Sequence, residues 1–320
     1  MKKTIIRLLI LLTISRLTQA NGCLPECVCA LKEKDIYIRE LLGYNHNLDN
    51  FKVLVDEFDG TKSMGILNCS NKSINLIPNF KQAINQKMKK VLQINAVDLS
   101  NNNLTLINPN TFYDLDSLQS IDLSGNNISK ISHKAFNGIF NHLISLKLNN
   151  NQLMSISSFP IYFASKIRSL KALFLASNKF DTLIDRSFQS IFSAWLNILD
   201  LSSNSINCIY EDAFFGLYSL EYLNLCNNKI GLEISNKEKC LNANFLVRIL
   251  KHLKTIQNLQ LCSNGFTNLN SDPQIFKNNT KIKIINLEKN KIKSLNNFFC
   301  MNDTKFSNKN GKLYLFCYFC

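Results

Sequence analysis

Eight segments of the chain fit one template, L-x-x-L-x-L-x-x-N-x-L, with Ile, Val or Phe accepted at the Leu positions, and no other feature restricts the fold as tightly. Counting the first apolar residue as position 1, the segments start at Ile94, Leu118, Leu143, Leu170, Leu196, Leu220, Ile256 and Ile282. Position 9 is then Asn102, Asn126, Asn151, Asn178, Asn204, Asn228, Asn264 and Asn290. Successive starts are 24, 25, 27, 26, 24, 36 and 26 residues apart. A period of this size marks stacked copies of one unit, none of which can bury its apolar face without a neighbour. The long sixth interval implies a loop or helical insertion around residues 235–251.

Each position has a physical assignment. Positions 4 and 6 alternate along a short strand and point inward, and position 11 points inward after a turn. Position 9 is Asn because a side-chain amide both donates and accepts. It can therefore pair backbone N–H and C=O groups that the turn would otherwise bury unsatisfied. Stacking should align the eight asparagines into a ladder. Phe112, Phe136, Phe188 and Phe214 all fall at position 19 and should form an aromatic spine under the convex side.

Cysteine-rich segments flank the repeats. Cys23-Leu24-Pro25-Glu26-Cys27-Val28-Cys29 and Cys69 precede them, with 39 residues between Cys29 and Cys69, and Asn296-Asn297-Phe298-Phe299-Cys300-Met301-Asn302 follows them. Repeats and cysteines together resemble the extracellular leucine-rich-repeat proteins: Slit-like guidance proteins, small leucine-rich proteoglycans, Toll-like receptor ectodomains and insect adhesion receptors. The resemblance covers residues 23 to about 300. It implies an α/β leucine-rich-repeat solenoid, a horseshoe with a parallel β-sheet on its concave face and a disulfide-capped N-terminus. In that family the first cap cysteine pairs with the third and the second with the fourth, which implies Cys23–Cys29 and Cys27–Cys69 here. The family's cap is usually a short hairpin, so residues 30–65 read as an insertion, with a short helix expected near 35–42. At the other end, Asn297 replaces the family's Pro and Asn302 its second Cys, so the C-terminal cap is degenerate or truncated. The expected organisation is a signal peptide at 1–20, a cap at 21–78, eight repeats at 79–295 and the C-terminal cap at 296–320.

The eleven cysteines leave at least one over. Cys226 and Cys262 both occupy position 7 of consecutive repeats, where a strand spacing of about 4.8 Å brings them near bridging range. Cys240 competes for either. One bridge among these three is expected, with Cys208 left as the free thiol and Cys300, Cys317 and Cys320 without a readable pairing. A zinc or redox site at Cys317-x-x-Cys320 is the alternative, but no His lies near it.

Lys2 and Lys3, an apolar run at 5–14 and Thr18-Gln19-Ala20 read as a secretory signal. No later stretch reaches the ~20 apolar residues of a spanning helix. The chain is therefore expected to be secreted into an oxidising compartment where cysteines pair. Asn68, Asn71, Asn103, Asn127, Asn278 and Asn302 begin Asn-x-Ser/Thr sequons and are candidate glycosylation sites.

On the concave face, positions 3, 5, 7 and 8 should meet solvent. Phe174, Ile198 and Tyr222 fall on three neighbouring strands and are expected to form an exposed apolar patch suited to a partner. Asp98 and Asp122 are expected to be a solvated acidic strip. The formal net charge is +14, or +10 without the first twenty residues, and all of that excess lies in 229–320. Lys277, Lys281, Lys283, Lys289, Lys291 and Lys293 form a candidate site for a sulfated glycosaminoglycan or another polyanion, binding by charge and weakened by salt. His46, His133, His142 and His252 stand in no metal-ligand spacing and beside no nucleophile motif, and no phosphate-cradling loop appears. No enzyme activity, cofactor, metal or nucleic-acid partner is expected. The expected role is that of a secreted module in adhesion or recognition, gripping a protein ligand or receptor in its concavity. The alternatives are a matrix protein that binds glycosaminoglycan and a receptor ectodomain lacking its transmembrane segment.

Overall fold

The computed structural model describes residues 27–33, 63–77, 80, 94–139, 141–156, 169–188, 195–232, 240, 245–267, 279–292, 304–309 and 312–317. In chain order the cap contributes β1 (Val28–Glu33) and β2 (Ser63–Asn68). The first three repeats contribute β3 (Ile94–Asp98), β4 (Leu106–Ile107), β5 (Ser120–Asp122), β6 (Lys130–Ile131) and β7 (Ser145–Lys147). Next come β8 (Ala172–Phe174), β9 (Thr182–Leu183), β10 (Ile198–Asp200), β11 (Cys208–Ile209) and β12 (Tyr222–Asn224). A helix α1 (Phe245–His252) then precedes β13 (Asn258–Gln260), β14 (Ile284–Asn286), β15 (Thr304–Lys309) and β16 (Lys312–Cys317).

A short strand at each of the eight template segments builds one parallel ladder, β3-β5-β7-β8-β10-β12-β13-β14. Position 4 of each repeat pairs with position 4 of the next: Val97 with Ile121, Ile121 with Leu146, Leu146 with Leu173. The fold is a leucine-rich-repeat solenoid, in which every turn of the chain adds one strand to a common sheet. Position 4 is nowhere more than 1% exposed, from Val97 to Ile285. Each such side chain contributes about 1.5–3 kcal/mol by leaving water, and only because the neighbouring turns cover it. Two short ladders, β4 with β6 and β9 with β11, form beyond the turns.

Position 9 closes the turns. Asn264 donates Nδ2 to the carbonyls of Leu225 in the repeat before (2.9 Å) and Leu261 in its own (3.1 Å), while its Oδ1 accepts the N–H of Ile230 (3.4 Å). Asn102, Asn126, Asn151, Asn178, Asn204, Asn228 and Asn290 likewise donate to carbonyls of two turns. At position 8, just before each of these asparagines, the backbone enters the left-handed region in all eight repeats: Asn101, Gly125, Asn150, Ser177, Ser203, Asn227, Ser263 and Lys289, with φ between 53° and 66°. This recurrent twist brings the following amide back under the strand. Asn and Gly suit it well, Ser and Lys less so.

The phenylalanines stack, with ring centroids 5.6 Å apart for Phe112–Phe136 and 5.9 Å for Phe188–Phe214. Phe80 extends the row into the cap, 6.0 Å from Phe112. All five rings are no more than 2% exposed.

Strand β1 pairs antiparallel with β2, so residues 30–33 and 63–65, at the two ends of the expected insertion, are joined to each other in the sheet. The helix expected near 35–42 and the Cys23–Cys29 bridge lie outside the described residues. Cys27 and Cys69 are bridged. Strand β2 also runs parallel to β3 as an additional turn of the coil. Leu67, Cys69 and Ile74 stand at its inward positions 4, 6 and 11, and Lys72 takes the place of the asparagine. As in the repeats that follow, the next turn's asparagine reaches back to it: the Asn102 Oδ1 accepts the N–H groups of Lys72 and Ile74, each at 3.0 Å.

Two features complete the other end. The 36-residue interval holds α1, which buries Leu246, Ile249 and Leu250 at i, i+3 and i+4. The carbonyls left unpaired at its C-terminal end are met by Asn279, whose Nδ2 donates to Leu250 (3.0 Å) and Leu253 (2.8 Å). Strand β16 pairs antiparallel with β14, and β15 with β16, so a hairpin covers the edge of the repeat sheet. Cys300 and Cys320 lie outside the described residues, and the Cys317 side chain with them.

Cys226 is bridged to Cys262, with Cα atoms 4.5 Å apart across adjacent strands. Cys208, expected to be free, is bridged to Cys240. With Cys226 and Cys262 bonded to each other, Cys240 is left for the buried Cys208 of β11, 5.0 Å away between Cα atoms.

Candidate functional site on the concave sheet

The concave surface is set by positions 3 and 5 of each strand. At position 3, Ala96, Ser120, Ser145, Ala172 and Ile198 are all 3% exposed or less. Inward curvature draws the side chains of neighbouring strands together over this row. The expectation that Ile198 is exposed is therefore corrected: it lies between Ala172 and Tyr222 in the ladder and forms the floor. Phe174 and Tyr222 are half-buried and reach further toward solvent. The three do share neighbouring strands, but Phe174 aligns with Asp200 and not with Ile198. Burial, and then the Asp200 carboxylate, push the Tyr222 hydroxyl well above the usual tyrosine range.

Position 5 carries a second job that the sequence reading missed. The carboxylates of Asp98, Asp122 and Asp200 each accept a backbone N–H two residues on, from Ser100, Ser124 and Ser202, all at 2.9 Å. Asn224 and Asn286 do the same for Cys226 and Glu288 at 3.0 Å. The strip formed by Asp98 and Asp122 is thus part of the turn that starts each descent from the sheet. The signal was available as Asp or Asn at position 5 in five of the eight repeats. Asp122 also pairs with Lys147 on the next strand at 3.4 Å, and Asn286 donates to Gln260 at 2.7 Å. The concavity is therefore polar and internally bonded along most of its length, with Phe174 and Tyr222 as its large half-exposed rings.

Four of the six lysines of the candidate polyanion site are described. Lys281 and Lys283 precede β14, whereas Lys289 and Lys291 follow it, and all four are exposed. The strand between them places the two pairs on opposite flanks of the sheet. Lys277 and Lys293 lie outside the described residues. Of the sequons, Asn71, Asn103 and Asn127 are exposed and Asn68 is half-buried, while Asn278 and Asn302 lie outside the described residues.

His252 binds Asp212 through Nε2 at 2.8 Å and packs edge-on to Phe215, which pins α1 to the fifth repeat. Among the described residues, no group of three or more His, Cys, Asp and Glu side chains is arranged to hold a metal ion, and no helix is long and apolar enough to cross a membrane.

The leucine rich repeat family model matches residues 72–128 and 168–230. Toll-like receptor 3 of Homo sapiens is 27% identical in an alignment of length 251 that covers 65% of this chain and 28% of that protein. Toll-like receptor 3 of Bos taurus is 35% identical over 88 residues, 28% of this chain and 10% of that protein. The chain spans less than a third of the length of the curated relatives it matches. Among solved structures, a TLR13–ssRNA13 complex aligns with a TM-score of 0.49 at 22% identity, covering 70% of this chain and 32% of that one. The leucine-rich repeat domain of APL1B aligns with a TM-score of 0.48 at 18% identity, covering 69% of this chain and 56% of that one.

Proposed function

We propose, from the premise that the chain is a leucine-rich-repeat protein resembling Toll-like receptor ectodomains, that it is a secreted recognition module that binds a macromolecular partner in its concavity. The observation that carries this reading is the pair of half-exposed rings, Phe174 and Tyr222, above the buried Ile198, beside a row of position-5 side chains bonded to the backbone. A partner gains most where large rings can be desolvated without stripping polar groups of their bonds. The test is to display the chain as a soluble bait, isolate the extracellular protein it retains, and measure affinity for Phe174→Ser and Tyr222→Ser. A loss of at least tenfold in each supports the reading. Unchanged affinity in both variants rejects the concave rings as the contact.

A second reading is favoured by the similarity to Toll-like receptor 3. On this reading the chain is part of a receptor ectodomain. Sequencing of full-length transcripts decides between them: an in-frame apolar span downstream of residue 320 selects the receptor, and a stop codon selects the secreted module.

A further inference from the structure

Three sequons stand on one flank of the coil, two of them at the same position of consecutive repeats. Asn103 and Asn127 are position 10 of the first and second repeats, each held between two buried residues: Asn102 and Leu104, then Asn126 and Ile128. With both neighbours pointing inward, the side chain between them points out. Their backbones stack one turn apart, since the N–H of Asn103 donates to the Ile74 carbonyl and that of Asn127 to the Leu104 carbonyl, both at 2.9 Å. Asn71 stands on the same flank in the cap's own turn, with φ at 57° and its N–H donating to the Ser100 carbonyl at 3.0 Å. All three are exposed, as are the sequon hydroxyl residues Ser73, Thr105 and Ser129.

Asn68 is different. It ends β2, with Val28 paired on one side and Asp98 on the other. Its Oδ1 accepts both the N–H (2.9 Å) and the hydroxyl (2.8 Å) of Ser70, the hydroxyl residue of its own sequon. The middle residue of that sequon is Cys69, fully buried and bridged to Cys27. Asn68 stands at position 5 of the cap's turn, level with Asp98, so its side chain faces the concave side of the sheet and not the flank that carries the other three.

We propose that Asn71, Asn103 and Asn127 carry N-linked oligosaccharides and that Asn68 does not. In each transfer the asparagine Nδ2 forms a bond to C1 of the first N-acetylglucosamine of a lipid-linked oligosaccharide diphosphate. The bond from that C1 to the diphosphate breaks, the lipid diphosphate departs, and Nδ2 gives up one proton. The three glycans rise side by side from the flank where the chain leaves the sheet. They close that flank over the cap and the first two repeats and leave the concavity open. The proposal rests on the reading of an exported chain.

The test supplies export independently. The full chain is produced behind a heterologous secretion leader in a cultured animal cell line. Occupied asparagines are then mapped by peptide N-glycosidase in heavy-oxygen water followed by mass spectrometry. Label is expected at Asn71, Asn103 and Asn127 and not at Asn68. Ser73→Ala, Thr105→Ala and Ser129→Ala should each remove one glycan-sized increment, and Ser70→Ala none. Label at Asn68, or its absence from any of the other three in the secreted wild-type chain, overturns the proposal. Because the mapping uses the wild-type chain, a variant that fails to fold does not obscure the result. Because the leader is supplied, failure of the native chain to be exported is scored separately.

Discussion

The Oδ1 of Asn126 accepts the backbone N–H of Leu104, one turn earlier, at 3.0 Å. The same side chain donates Nδ2 to the carbonyls of Leu99 and Leu123, both at 3.0 Å. With the Ser124 carbonyl at 3.2 Å, one buried amide thus reaches four backbone groups on two repeats. Asn126→Ala leaves the Leu104 N–H without a partner in a dry turn, because the Leu99 and Leu123 carbonyls still accept from Asn102 and Asn151; a buried group left unpaired costs about 1–3 kcal/mol. We expect a drop of about 1–3 kcal/mol in denaturant unfolding. Hydrogen exchange should rise first in the two turns that Asn126 joins, because each turn of a solenoid is coupled to its neighbours alone. Uniform exchange along the coil would show that the ladder does not act locally.

The repeat template carried most of this architecture. Asn102 through Asn290, the position-4 core and the Phe spine followed from period and residue type alone, because each rests on what a buried turn requires. Two features escaped, for different reasons. The cap's turn has Cys69 and Lys72 where Leu and Asn are expected. The burial of Ile198 depends on the curvature of the sheet, which the sequence of a single strand does not contain.

Lys289 holds position 8 with φ at 54°, a conformation that Asn and Gly adopt at lower cost. Asn already fills this position at Asn101, Asn150 and Asn227. Lys289→Asn is therefore expected to stabilise the chain, by about 0.5–1 kcal/mol in denaturant unfolding. A loss of stability would mean that the lysine makes compensating contacts.

The Cys208–Cys240 bridge closes a loop with a sequence separation of 32 residues around the inserted segment. Cross-links of this kind typically contribute about 2–4 kcal/mol. The double variant Cys208→Ser, Cys240→Ser should melt at lower temperature and be cleaved faster between residues 232 and 245 under limited proteolysis. Cys226–Cys262 should survive, as judged by thiol labelling. Equal cleavage rates would show that α1 and its His252–Asp212 contact hold the segment without the bridge.

Burial raises the Tyr222 hydroxyl above its unfolded value, with Asp200 adding to the shift. The folded state therefore resists releasing this proton, and the unfolded state does not. The contribution is fully present below about pH 10, where tyrosine is neutral in both states, and declines as the pH rises beyond it. Other groups titrate in this range as well, so the comparison is with Tyr222→Phe. Between pH 9 and 11.5, unfolding free energy should fall less steeply in the variant than in the wild type. Parallel curves would show that Tyr222 ionises as freely when folded as when unfolded.

Ile198 and Phe174 lie on adjacent strands, β10 and β8, yet should fail in different assays. Ile198 is 3% exposed, so Ile198→Ala removes buried methyl groups and leaves a cavity, at about 2–5 kcal/mol of stability. Phe174 is half-buried beside the Asp122–Lys147 pair, and its truncation to Ala exposes less new cavity surface. If the concavity is the recognition surface, Phe174→Ala should weaken partner binding by about 2 kcal/mol, roughly thirtyfold, as rings at interface centres do. Its melting temperature should stay within a few degrees of the wild type. Ile198→Ala should show the reverse: a large fall in melting temperature and, at temperatures where it remains folded, near-normal affinity. If Phe174→Ala keeps full affinity while Ile198→Ala loses it without unfolding, the contact surface lies elsewhere and the floor residue acts through the shape of the sheet.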